Sequence, residues 1–86
     1  MVTVGDRIYY IRKNQRLTQQ QLADLSGLSR QMICSYELGR KEPSFSSMVS
    51  IANALKTSLE YFAKGDPEDE KKTLFRLHRA KRNRHT

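Results

Sequence analysis

Apolar residues in this chain recur three and four positions apart, and a Ser or Thr stands directly before each periodic segment, at Thr3, Thr18, Ser29, Ser44 and Ser58. Each hydroxyl can accept a hydrogen bond from an orphan amide in a first helical turn, so each marks a helix start. Asp6 follows Thr3 by three residues and Gln21 follows Thr18 by three, the spacing of a capping box. The pattern predicts five helices. In the first, Val4, Ile8 and Ile11 keep one face as far as about Lys13. Leu22, Ala23 and Leu25 give the second an inner face up to Gly27, and Ile33 and Tyr36 give one to the third up to Gly39. Past Pro43, residues Phe45, Met48, Ile51, Ala52 and Leu55 make the cleanest stripe, and a short fifth segment runs from Leu59 to Ala63. No stretch alternates as a strand would, and the links are short, so the expected fold is all-α, a compact five-helix bundle.

The pattern breaks at Lys64-Gly65-Asp66-Pro67, dividing the chain into a domain over 1–65 and a charged C-terminal extension over 66–86. Asp66, Glu68, Asp69 and Glu70 open the extension; seven Lys and Arg residues fill the rest, with His78 and His85 among them. Acids first and bases last suit a helix dipole, so this stretch reads as a sixth helix from about Pro67 to Arg82 or as a flexible basic tail. Its apolar content, Leu74, Phe75, Leu77 and Ala80, is too small to fold without a partner surface.

Composition narrows the function. Eighty-six residues make one small domain, which leaves little room for a large substrate cavity. The formal net charge of +7 points to a polyanion, either nucleic acid or an anionic membrane surface. No apolar run approaches the roughly 20 residues of a bilayer span. Cys34, the single cysteine, can form no disulfide within the chain and cannot alone supply a zinc site. It reads as a bystander thiol rather than an oxidant sensor. His78 and His85 lack companion metal ligands, and Asp24 with Glu42 forms no acid/base constellation. The expectation is a cytoplasmic protein with no enzymatic activity, no cofactor and no metal.

The segment Thr18 to Gly39, TQQQLADLSGLSRQMICSYELG, has the spacing of a helix-turn-helix. Ala23 stands where two helices cross closely, and Gly27 follows a helix end, where a left-handed backbone favours a residue without Cβ. Leu22, Leu28, Ile33 and Tyr36 can close the wedge that fixes the inter-helix angle. Capped by Ser29, the third helix then turns Arg30, Gln31, Cys34, Ser35 and Leu38 away from Ile33, Tyr36 and Glu37. Arg and Gln at a helix start are the residue types that read guanine and adenine edges in a major groove.

Residues 4 to 63 resemble the helix-turn-helix domains of the lambdoid repressor and Cro proteins, the Xre-like family. The resemblance is carried by Ile8 with Ile11-Arg12, Leu17-Thr18-Gln19, Leu22-Ala23, Gly27-Leu28-Ser29, Ile33, Tyr36-Glu37 with Gly39, Pro43, and Ile51-Ala52 with Leu55. It implies base contacts from Arg30, Gln31 and Ser35. Phosphates would fall to Gln19 and Ser29, to the loop Gly39, Arg40 and Lys41, and to the start of the next helix at Phe45. It also implies a structural ion pair between Arg12 and Glu37, and contact between two copies through Leu59, Tyr61 and Phe62 of the fifth helix. Three positions depart from the pattern: Arg16 and Lys56 stand where Gly is frequent, and Leu38 where a polar, often phosphate-binding residue is usual. Backbone strain or a different turn is expected at Arg16, and at Leu38 either a lost contact or an apolar touch to a thymine methyl.

The sequence therefore reads as a DNA-binding transcriptional regulator, a homodimeric repressor on a palindromic operator of double-stranded DNA, its two reading helices about 34 Å apart. The alternative is an antitoxin whose residues 66–86 bind a partner toxin while the core autoregulates its operon. Peripheral membrane binding by the basic tail is a weaker rival, because the apolar strip is too narrow to insert well. Phosphate contacts, DNA wrapping, partner binding and simple solubilisation all remain open to the tail.

Overall fold

The computed structural model describes residues 2–64, which form five helices and no strand: α1 (Val4–Asn14), α2 (Gln19–Ser26), α3 (Arg30–Glu37), α4 (Phe45–Ala54) and α5 (Leu59–Lys64). The expected sixth helix or basic tail over 66–86 lies outside the described residues. All five expected caps are in place. Thr3 accepts from the Asp6 amide at 3.1 Å, Thr18 from Gln21 at 3.0 Å and Ser29 from Met32 at 3.1 Å. Ser44 accepts from Ser47 at 3.2 Å and Ser58 from Tyr61 at 3.1 Å. Both capping boxes close, since the Asp6 and Gln21 side chains reach back to the amides of Thr3 and Thr18. Each such cap contributes about 1 kcal/mol, which matters for helices of six to eleven residues that cannot stand alone.

Four helices end alike. Leu17 donates to the Arg12 carbonyl, Leu28 to Ala23, Arg40 to Ser35 and Thr57 to Ala52, at 2.9 to 3.1 Å, each spanning five residues. In every case the residue just before the donor is left-handed: Arg16 at φ 59°, Gly27 and Gly39 at 74°, and Lys56 at 55°. This double turn satisfies the last carbonyls of a helix and needs a positive φ. Two of the four positions carry a side chain that resists that conformation, as expected at Arg16.

The core gathers Ile8, Leu22, Ala23, Ile33, Tyr36, Ile51, Ala52, Leu55 and Phe62, one face from each helix. Helix α2 packs on α3 and α4, α1 on α3 and α5, and α4 on α5. Two residues assigned to inner faces are corrected. Leu25 is 60% exposed and Phe45 72% exposed. In α2 the buried residues are Leu22 and Ala23, and Leu25, one turn on, borders an open hollow with Ser50, Asn53 and Ala54 of α4. Phe45 begins α4 before the stripe has a surface to meet, and burial sets in at Ser47.

Polar ties join the helices where apolar contact runs out. Arg7 donates through Nη1 to the carbonyl of Phe62 at 3.3 Å, and Gln15 through Nε2 to the carbonyl of Leu55 at 2.7 Å. Both hold carbonyls near helix ends, the groups most in need of a donor. Neither tie was visible in the periodicity. At Gly5 the backbone of α1 lies so close to α3 that an added Cβ would overlap the Tyr36 carbonyl oxygen. Only glycine allows that approach.

Candidate nucleic-acid interface

Helix α3 has a locked face and a free one. On the locked face Ile33 and Tyr36 are buried in the core, and Glu37 is 1% exposed. A carboxylate so deeply placed must be paired, and Arg12 supplies a fork: Nε to Oε2 at 2.7 Å and Nη2 to Oε1 at 3.0 Å. Arg12 spends its remaining nitrogen on the Leu17 carbonyl at 2.6 Å, and its guanidinium lies 5.3 Å from the Tyr9 ring centroid. Gln19, the first residue of α2, donates to Glu37 Oε1 at 3.0 Å. One buried carboxylate thus ties the C-terminal end of α1, the start of α2 and the end of α3 together. The ion pair expected between Arg12 and Glu37 is present, and Gln19 braces α3 through it.

A second tie fixes the loop beyond α3. Tyr36 Oη donates to Ser47 Oγ at 3.2 Å, and Ser44 Oγ donates to the same oxygen at 3.1 Å. The link Leu38 to Ser44 is therefore held at both ends.

The free face carries Arg30 and Gln31, both exposed in the first turn, with Ser35 partly buried one turn later. Arg40 and Lys41 follow, also exposed. Ser29 caps α3 through its Oγ, and the Arg30 and Gln31 amides that follow are the first-turn donors a helix leaves without internal partners. The same holds for Phe45 and Ser46 at the start of α4, where the helical bonds begin with Met48 donating to the Ser44 carbonyl. Helix starts with such donors are ready anion sites.

Two amides of the loop after α3 serve the end of that helix. The Gly39 amide donates to the Tyr36 carbonyl at 3.1 Å and the Arg40 amide to Ser35 at 2.9 Å, both as parts of the α3 ending. Gly39 takes the left-handed turn, and Arg40 is exposed. Of the α5 residues expected between copies, Phe62 is 1% exposed within one chain and completes the core, with Tyr61 edge-on to its ring at 5.7 Å. Leu59 and Tyr61 remain partly exposed. Among the described residues no cluster of His, Cys, Asp and Glu could hold a metal, and no helix is long and apolar enough to cross a membrane.

Comparison with known proteins matches this arrangement. A sequence model of the family described as "Helix-turn-helix" fits residues 8–62. An uncharacterised HTH-type transcriptional regulator of Bacillus subtilis, YqaE, is 41% identical over 59 residues, covering 69% of this chain and 51% of the relative. The immunity repressor of Bacillus phage phi105 is 46% identical over 54 residues, covering 63% and 38%. The chain spans about half the length of these relatives or less. Among solved structures, the P22 c2 repressor in complex with a synthetic operator superposes with a TM-score of 0.73 at 30% identity, covering 77% of this chain and all of that one. The restriction-modification controller protein C.AhdI of Aeromonas hydrophila gives 0.68 at 31%, covering 71% and 92%. The chain belongs to the helix-turn-helix family of Xre-like transcriptional regulators and phage repressors.

Proposed function

We propose that this chain is a sequence-specific DNA-binding repressor that lays α3 in the major groove. The observation that carries the reading is the asymmetry of α3: Glu37 is locked by Arg12 and Gln19, while Arg30 and Gln31 stand exposed and unpacked at the opposite, N-terminal end. A helix held rigidly by one face and offering Arg and Gln at its start has the geometry of direct readout. Arg30 forks onto a guanine, Gln31 onto an adenine, and Ser35 meets a base edge one turn on. Gln19 keeps one amide hydrogen beyond its bond to Glu37 for a phosphate. The side chains of Arg40 and Lys41 and the first-turn amides at Ser29–Arg30 and Phe45 hold the flanking phosphate runs. The P22 c2 repressor, solved on an operator, supports this placement.

The protein works in the cytoplasm as a homodimer on a palindromic site, with Leu59 and Tyr61 of α5 facing the second copy. It regulates transcription by occupancy rather than by chemistry. Selection of bound sequences from a random DNA pool, at two salt concentrations, tests the reading. Enrichment of a two-fold symmetric site with half-sites about one helical turn apart is the expected result. Binding without enrichment, falling equally for every sequence as salt rises, would sink it.

A further inference from the structure

Leu38 ends α3 and is 48% exposed, one of three large apolar side chains left outside the core among the described residues. Its backbone stays in the right-handed helical region, φ −82° and ψ −5°, and its amide donates to the Cys34 carbonyl at 3.0 Å. Leu38 is thus one more helical residue of α3. By helical spacing it shares a face with Gln31, Cys34 and Ser35, seven, four and three positions earlier, and lies away from Ile33 and Tyr36. Cys34 and Ser35 are partly exposed on the same face. The result is a strip that begins with a polar reader, Gln31, and ends with an apolar one. Basic side chains border it at Arg30, Arg40 and Lys41, all exposed, which suits a polyanion rather than a protein or a second copy.

Among the base edges of a major groove, only thymine presents an apolar group, the C5 methyl, and an aliphatic side chain recognises it by burial. We propose that Leu38, flanked by Cys34, reads a thymine methyl in each half-site and so adds a specificity-determining position beyond Arg30 and Gln31. This rests on α3 being the reading helix. It also gives the departure at Leu38 a positive role: a position usual for phosphate contact becomes one for base contact. The neutral side chain loses no charge-assisted bond that Arg40 and Lys41, two and three residues on, do not already offer.

The test uses the full chain and its own selected DNA site. Each thymine of one half-site is replaced in turn by deoxyuridine, which removes only the methyl, and affinity is measured for the parent protein and for Leu38→Asn. Removing one buried methyl is expected to weaken the parent about fourfold at one thymine. Leu38→Asn is expected to lose that dependence while keeping its response at every other position. Leu38 is exposed, so the variant keeps its melting temperature. A selected site with no methyl-dependent thymine, or a dependence that survives in Leu38→Asn, overturns the inference while leaving the reading helix intact. Failure to enrich any site overturns the reading itself. Sedimentation of the DNA-free proteins closes the remaining route: an altered association state in Leu38→Asn would assign the residue to a contact between copies and also overturn the inference.

Discussion

The two faces of α3 obey different rules. On the inner face every polar atom has a partner, and Ile33, Tyr36 and Glu37 are sealed. Along the outer face Arg30, Gln31 and Leu38 have no partner that holds them in place and are exposed. Stability is concentrated on one side and left off the other. The side that contributes little to folding is therefore free to hold residues chosen for what they bind, and the side that contributes much keeps them at a fixed angle. If this division is right, substitutions on the two faces affect different measurements.

The largest effect belongs to the buried network. Replacing Arg12 by Ala takes the cation away from the buried Glu37 carboxyl and leaves it Gln19, and Glu37→Ala strands Arg12 and Gln19. Each is expected to destabilise the domain by about 3–5 kcal/mol, read by urea titration. Against the 5–15 kcal/mol typical of small domains, that is a fifth of the total at the least and all of it at the most. A loss below about 1 kcal/mol would mean that the network is not holding the helix.

Next comes the outer face. Arg30→Ala and Gln31→Ala are each expected to cost about 1–3 kcal/mol of discrimination at one or two base pairs. Stability should stay within about 0.5 kcal/mol of the parent. Arg40→Ala and Lys41→Ala sharpen the comparison further, because their contacts carry no sequence information. Each should weaken binding to all sequences alike and reduce the slope of log K against log salt by about one, as titrations at several salt concentrations would show.

The smallest effect lies at the four left-handed helix ends, where two glycines and two basic residues share one geometry. Left-handed backbone costs a residue with Cβ about 1–2 kcal/mol. Glycine relieves that strain but gives back part of the gain through a freer unfolded chain. Arg16→Gly and Lys56→Gly are expected to raise stability by up to about 1 kcal/mol, seen as a melting shift of a few degrees. Gly27→Ala, which meets no neighbouring atom, should lower it by a similar amount from backbone strain alone.

Much of this could be read along the chain. The five helices and their caps follow from hydroxyls placed ahead of apolar periods, because capping is a local interaction between near neighbours. Arg12 with Glu37 came only with the family resemblance, since 25 residues separate them and no periodicity links the two. Leu25 and Phe45 were misplaced because periodicity marks a face without saying where a neighbouring helix ends. Gly5 carried a signal that went unused: a glycine inside a helical pattern costs stability, so it points to a close approach. The ties from Arg7 and Gln15 to distant carbonyls left no trace in spacing, because any long polar side chain could have made them.

The central claim, that α3 reads bases with a face the fold does not need, is tested most directly by measuring two quantities on one variant. Arg30→Ala with Gln31→Ala, in the full chain, is compared with the parent by urea unfolding and by selection from a random DNA pool. The account predicts an unchanged unfolding midpoint and lost preference at the base pairs these residues contact, with residual salt-dependent binding retained. An unchanged base preference would contradict it, whatever the midpoint does.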